Sequence, residues 1–307
     1  MRIFDAHTHV IDTLAGFGPR GELRAIGGGK ARWANGDVIE MIPDGMGDRS
    51  FHYETLAQLL RDQGVEKAVL LQGSFYGFQN DFTREAARKY PDLFLPSGTF
   101  DPFCARAGEL LGQLLDTHHL PIIKFELSSG GGLMGYHRAF PLDGDALDGT
   151  FARIAQAGAT LVLDIGSPGM ESFQPEAVAA IAKKYASMQI VVCHLLAPTL
   201  QDEAALTRAL GILNCPNICF DLAALPWNVY PEAYPYPTAL RYLAIAKRIV
   251  GADKLIWGTD VPSVLTREQY QNLADYIVNS GLFTEEELEK IFWINACRAY
   301  HVEPVKD

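Results

Sequence analysis

The sequence predicts an α/β fold, a (β/α)8 TIM barrel, on three observations. Short apolar runs recur eight times along 307 residues, helical patterns lie between them, and the two longest connections both follow strands. The runs are 3–10, 67–73, 93–101, 120–127, 159–166, 189–196, 217–225 and 255–262. Each is rich in Leu or β-branched residues, as strands buried on both faces are. Helical patterns occupy 53–63, 82–90, 105–116, 149–156, 175–186, 202–213 and 238–249, with 267–279 and 285–297 after the eighth strand. Their starts are marked, as by Ser263 to Thr266 before Arg267 and by Thr284 ahead of three glutamates. No linker-like stretch interrupts the alternation, so 1–307 reads as a single domain.

The connection after strand one, 11–66, reads as irregular apart from its last dozen residues. The connection after strand four, 128–148, opens with Ser-Ser-Gly-Gly-Gly. Loops this long in a compact domain act as lids or binding loops, and both belong on the carboxyl face, where barrels carry active sites. A third loop, 226–237, sets Trp227 and three tyrosines among four prolines, a stiff aromatic segment suited to walling a pocket.

Charge narrows the partners. Lys and Arg total 26 against 37 Asp and Glu, a net charge of −11 with no basic run, which disfavours nucleic acid. No uncharged apolar run reaches the ~20 residues of a membrane span. Asp5 and His7 fall where a signal peptide needs its apolar core. The five cysteines are odd in number and lack a C-x-x-C pair, so reduced thiols and a cytoplasmic location are expected. Cys215 and Cys219 have no second pair to complete a structural zinc site. A homo-oligomer stays open.

Polar side chains stand where a barrel interior calls for Val, Ile and Leu. His7 and His9 alternate on strand one and so point the same way, a natural pair of metal ligands; two hydrogen-bonded histidines at a strand end are the plainer alternative. Strand eight ends in Asp260, strand six brings His194, strand five Asp164, and strand four Lys124 and Glu126. Such groups converging in a low-dielectric mouth need pairing or a cation, and one divalent metal with N and O ligands resolves the cost. His137, beside Tyr136 and Arg138 in the Gly-rich loop, is a candidate substrate contact. Asp221 on strand seven divides evenly between backbone bonding and function. His118 and His119 precede strand four at the far end, and His301 near the terminus has no assigned role. The glycines at 130–132 lack the lysine and helix of a phosphate-binding loop.

With these residues in place, the chain resembles the amidohydrolase superfamily, in its TIM-barrel branch of decarboxylases and lactonases. The resemblance rests on Asp5-Ala-His7-Thr-His9, on Gly258-Thr-Asp260-Val-Pro262 and on His194 within 192–195, and its layout spans nearly the whole chain. The segment 74–80, which includes Tyr76 and Asn80, is similar to a loop that holds substrate in some lactonases. The resemblance implies a metal-dependent hydrolase of a small carboxylated, anionic substrate, of lactonase type. His7, His9 and Asp260 would hold zinc or manganese, with Asp164 as a further ligand. Asp260 would carry the proton and His194 would polarise the carbonyl. Lys124, Tyr76, Asn80, Glu126, His137 and Trp227 would contact the substrate, with Lys124 as an ammonium rather than a bridge between two metals. Metal-dependent members carry a histidine where this chain has Asp164, so a metal-free enzyme stays open. The alternatives are a non-oxidative decarboxylase of an aromatic or muconate-type acid and a lapsed barrel kept for binding.

Overall fold

Strands covered on both faces must satisfy their backbone groups from neighbouring strands, and the apolar runs do so in parallel. In the computed structural model, which describes residues 1–303, β1 (Phe4–Thr8) opens the chain. It is followed by β2 (Ala15–Gly18), β3 (Gly21–Gly27), β4 (Lys30–Trp33) and β5 (Val38–Glu40). Then come β6 (Lys67–Leu70), β7 (Phe94–Pro96), β8 (Ile122–Glu126), β9 (Thr160–Asp164), β10 (Ile190–Val192), β11 (Ile218–Asp221) and β12 (Leu255–Ile256). The last four residues of the expected domain, 304–307, lie outside the described residues.

β1, β6 and β7 form one parallel arc and β8 to β12 another. Bridges Thr8–Val261 and Gly98–Ile123 join the arcs at their two ends. The main chain adds Ala6 N–H to Trp257 O at 3.1 Å and Lys124 N–H to Gly98 O at 2.9 Å. The parallel strands therefore follow one another around a ring in chain order, as in a (β/α)8 barrel. Its interior is packed by Phe4, Ala6, Leu71, Ile122, Val162 and Val191. Trp293 and Tyr300 lie 5.8 and 6.1 Å from the Phe4 ring and close the amino end.

Helix ends carry the expected chemistry. His52 caps Tyr53–Asp62 by accepting from Glu54 N–H, Thr284 and Glu287 form a reciprocal box at Glu285–Glu289, and Gly158 ends Asp145–Ala157 at φ 69°. No helix among the described residues is long and apolar enough to cross a membrane, and all five cysteines are free thiols.

The molecule departs from the expected pattern in three places. The connection 11–66 is not irregular: β2 to β5 make an antiparallel sheet with registers Ala15↔Arg24, Leu23↔Trp33 and Arg32↔Val38. The late strands are shorter than their apolar runs, because after Val192 and Ile256 the chain turns off to build loops over the mouth. The helix expected over 267–279 is confined to Asn272–Val278, preceded by a short turn at Ser263–Thr266.

Candidate active site

β1 carries a register shift between Asp5 and Thr8. A bulge of this kind lets two consecutive side chains face inward. Ala6 joins the interior cluster, while His7 and His9 line a cavity of about 500 Å³. Asp5 anchors the bulge from below, accepting from Thr259 Oγ1 at 2.7 Å, Thr259 N at 2.9 Å, Tyr270 OH at 3.1 Å and His7 N at 3.3 Å. Burial pushes its carboxyl up to about 7 despite those bonds.

The cavity brings together most of the predicted site. Asp260, His194, Asp164, Lys124 and Glu126 line it with the two histidines, and Tyr76 and Trp227 complete the aromatic wall. β5 forms part of the rim, so the first long connection does cover the mouth. Of its basic residues only Arg20 reaches the wall, and its guanidinium pairs with Asp37 at 3.1 Å.

Each imidazole commits one nitrogen away from the centre. His7 Nδ1 donates to Asp221 Oδ2 at 3.1 Å, since the ionised carboxylate only accepts. His9 Nδ1 lies 2.9 Å from Leu71 O and His194 Nδ1 lies 3.1 Å from Ala223 O, contacts that require those nitrogens to donate. The three Nε2 atoms are left facing the cavity. His7 Nε2 is buried and has no hydrogen-bond partner among the described residues. It stands 3.5 Å from Asp260 Oδ1, and His9 Nε2 stands 2.9 Å from the same oxygen. Burial holds His7 below its usual range and His9 down at about 4, so both rings are neutral near pH 7. Bare nitrogen lone pairs aimed at a carboxylate repel unless a cation lies between them. This donor set fits a divalent ion.

The geometry adds His194 to the expected ligand atoms. Ligand atoms of His7, His194 and Asp260 lie within 4.8 Å of one another, whereas His9 closes onto Asp260. His194 enters the group because β10 stops short and His194, Leu195, Leu196 and Ala197 all take positive φ, between 44° and 70°. Left-handed backbone costs ordinary residues about 1–2 kcal/mol each. Asp221 Oδ1 steadies the turn by accepting from His194 N at 2.8 Å. The ring of His194 thereby lies 4.7 Å from that of His7.

Asp164 Oδ2 stands 3.6 Å from His194 Nε2, with Gly166 N–H on its other oxygen at 2.8 Å. Burial opposes charge on His194, yet contact with Asp164 and the nearby Asp260 and Asp221 carboxylates raise it to about 10. Asp260 is likewise opposed by burial, but His9, His194 and His7 hold it well below the usual carboxylate range.

Lys124 is 2% exposed, and among the described residues no carboxylate oxygen lies within ion-pair distance of it. Burial opposes its charge, and the Cys193 sulfur with Glu126, Asp164 and Asp260 outweighs that effect. Glu126, pushed up to about 7 by burial, occupies space that glycines leave open. A Cβ at Gly73 would stand 2.2 Å from Glu126 Oε2.

Two expected substrate contacts fall elsewhere. Asn80 donates to Thr99 O and accepts from Thr99 N–H, both at 2.8 Å, so its carboxamide is used up tying a helix start to the exit of β7. His137 pairs with Asp101 at 2.7 Å and packs on Phe103, outside the cavity wall. Asp221 and Arg267 are the residues that sequence reasoning left unassigned. An acidic residue ending an apolar run was the available signal for Asp221, and none existed for Arg267.

The amidohydrolase family model matches residues 4–302. The chain belongs to that family. This amidohydrolase shares its fold with a probable 2-pyrone-4,6-dicarboxylic acid hydrolase from Acinetobacter baumannii with citric acid bound, at TM-score 0.70 and 16% identity over 98% of this chain and 100% of that one. A zinc-bound amidohydrolase from Burkholderia multivorans superposes at TM-score 0.71 and 18% identity over 99% and 100%. The 2,6-dihydroxybenzoate decarboxylase from Rhizobium superposes at 0.60 and 15% over 81% and 88%. No curated protein matches the amidohydrolase by sequence. Membership of the amidohydrolase family supports an enzyme, in a family that is typically metal-dependent, and the solved structures show the fold it shares with them.

Proposed function

We propose that the protein is a metal-supported hydrolase of a carbonyl ester, of lactone type, in a small anionic molecule. One observation carries the reading: neutral imidazoles with outward-committed Nδ1 atoms turn bare Nε2 atoms toward the ionised Asp260. His7, His194 and Asp260 would hold the ion, and the bare His9 Nε2, 2.9 Å from the same Asp260 oxygen, would face it as well. A divalent ion supplies Lewis-acid polarisation of a carbonyl and acidifies water. Asp260, ionised at neutral pH, takes the proton of the attacking water and returns it to the leaving oxygen. Lys124 binds an anionic group of the substrate, because burial leaves its ammonium without a protein partner in ion-pair range among the described residues.

Where His194 keeps its own proton, its N–H faces the same space and serves as the donor to the carbonyl oxygen. Asp164 favours that state by holding the imidazolium, which makes the metal-free route a property of this chain's strand-five aspartate. A decarboxylase is the second reading, favoured by the aromatic wall of Phe75, Tyr76 and Trp227, which suits a planar ring acid. Elemental analysis of purified protein, followed by a screen of lactones and carboxylated aromatics, tests both. Ring-opened acid without carbon dioxide supports hydrolysis; release of carbon dioxide overturns it.

A further inference from the structure

The rim of the cavity holds a cation whose place in the fold was invisible in the sequence. Arg267 follows the Ser263–Thr266 turn and lines the same cavity as His7 and Asp260. Its guanidinium carbon lies 3.9 Å from the centre of the Trp227 ring and 4.7 Å from that of Tyr230. Both rings belong to the aromatic loop after β11, so two separate loops fix one side chain. A guanidinium held this close to two aromatic rings is attracted by their π faces and keeps N–H groups for an acceptor. Among the described residues no carboxylate pairs with Arg267, although the protein carries 37 acidic residues. Arg20 makes the contrast. It too lies over a tryptophan, Trp33 at 4.9 Å, but Asp37 occupies its edge.

A fixed, planar, unpaired fork at the mouth of an acidic protein is a site for a planar anion. We infer that Arg267, seated on Trp227 and Tyr230, forms an outer subsite that binds a carboxylate of the substrate, distinct from the anion site at Lys124. The subsite rests on the cavity being the substrate site, and it sets which molecules fit: those with a carboxylate at the end remote from the reacting carbonyl. A guanidinium also suits a tetrahedral phosphate, but the in-plane edge matches a carboxylate through two parallel N–H bonds. Lys124 lies below at 2% exposure on β8, so the two cations mark the inner and outer ends of one cavity.

The test uses binding, not turnover. Full-length protein is titrated calorimetrically with straight-chain dicarboxylates from malonate to azelate and with the monoamide of each. In the wild type at least one dicarboxylate binds about tenfold more tightly than its monoamide, the worth of one charge-assisted bond. Arg267→Met removes that preference and Arg267→Lys restores it only in part, since an ammonium lacks the planar fork. Trp227 emission shifts with the preferred dicarboxylate in wild type and not in Arg267→Met. A preference retained by Arg267→Met overturns the subsite, as does a wild type that prefers no dicarboxylate. Lactone hydrolysis with a preference that ignores Arg267 removes the subsite alone. A preference that depends on Arg267 in a protein with no hydrolytic activity removes the hydrolase reading alone.

Discussion

Asp221 accepts a hydrogen bond from His7 Nδ1 at 3.1 Å, and through its other oxygen it holds the backbone N–H groups of His194 and Ala223 at 2.8 and 3.1 Å. One fully buried carboxylate therefore fixes the tautomer of a strand-one imidazole and the strained turn that presents a second imidazole beside it.

Asp221→Asn keeps an oxygen for the two backbone donors but turns an amide N–H toward His7 Nδ1. The ring then shifts its proton to Nε2, which closes the lone pair that faces Asp260. Nitrogen-detected NMR of the histidine rings should show the tautomer change. Metal affinity should fall about 10–100-fold with little loss of helix signal. An unchanged tautomer in the variant would remove Asp221 from this role.

Asp260→Asn preserves shape and removes the proton acceptor. Turnover on the substrate found by screening should fall at least ~100-fold, the low end for loss of a general base. Steady-state kinetics that match wild type would mean another group carries the proton.

The pairing of His194 with Asp164 fixes a pH window. His194 is raised from 6.5 to about 10 in the folded protein, so its contribution to stability is complete below 6.5 and disappears as pH rises through about 10. The stability gap between wild type and Asp164→Asn in urea unfolding should therefore narrow as pH climbs across that window. A divalent ion must displace the same proton, so zinc should load at lower pH in Asp164→Asn than in wild type. A gap that is constant from pH 6 to 10 contradicts the pairing.

Lys124→Met tests the inner anion site. A carboxylated substrate should lose most of its KM advantage over its methyl ester in the variant. Equal effects on acid and ester would make Lys124 a packing residue.

Much of this arrangement was readable in advance, for definite reasons. Parallel strands buried on both faces leave continuous apolar runs, and a His or Asp at the end of such a run stands out against them. That is why His7, His9, Lys124, Asp164, His194 and Asp260 were picked out, and all six line one cavity. The sheet from β2 to β5 was missed because strands such as Gly21–Gly27, mostly exposed and begun and ended by glycine, carry no strong alternation. The turn at His194 was missed because Leu195, Leu196 and Ala197 are residues that rarely take positive φ, and tertiary contacts such as that of His194 N–H to Asp221 hold the turn. Arg267 was missed because its meaning comes from Trp227, forty residues earlier and on another loop. Asn80 was misassigned because a side chain in a substrate-type loop and one that ties two backbones together look the same in one dimension.

The inserted antiparallel sheet divides labour within the molecule. The groups proposed to move protons or hold an ion stand on barrel strands and their immediate exits, whereas β5 supplies rim wall at Val38, Ile39 and Glu40 without sharing a strand with any of them. Its outer side chains are bound by few constraints, with Val38 at 49% exposure. Under the proposed function, mutations there should alter what is admitted while leaving the reacting groups untouched. Selection, or a designer choosing where to randomise, has in this segment a dial for substrate range that is mechanically separate from the engine.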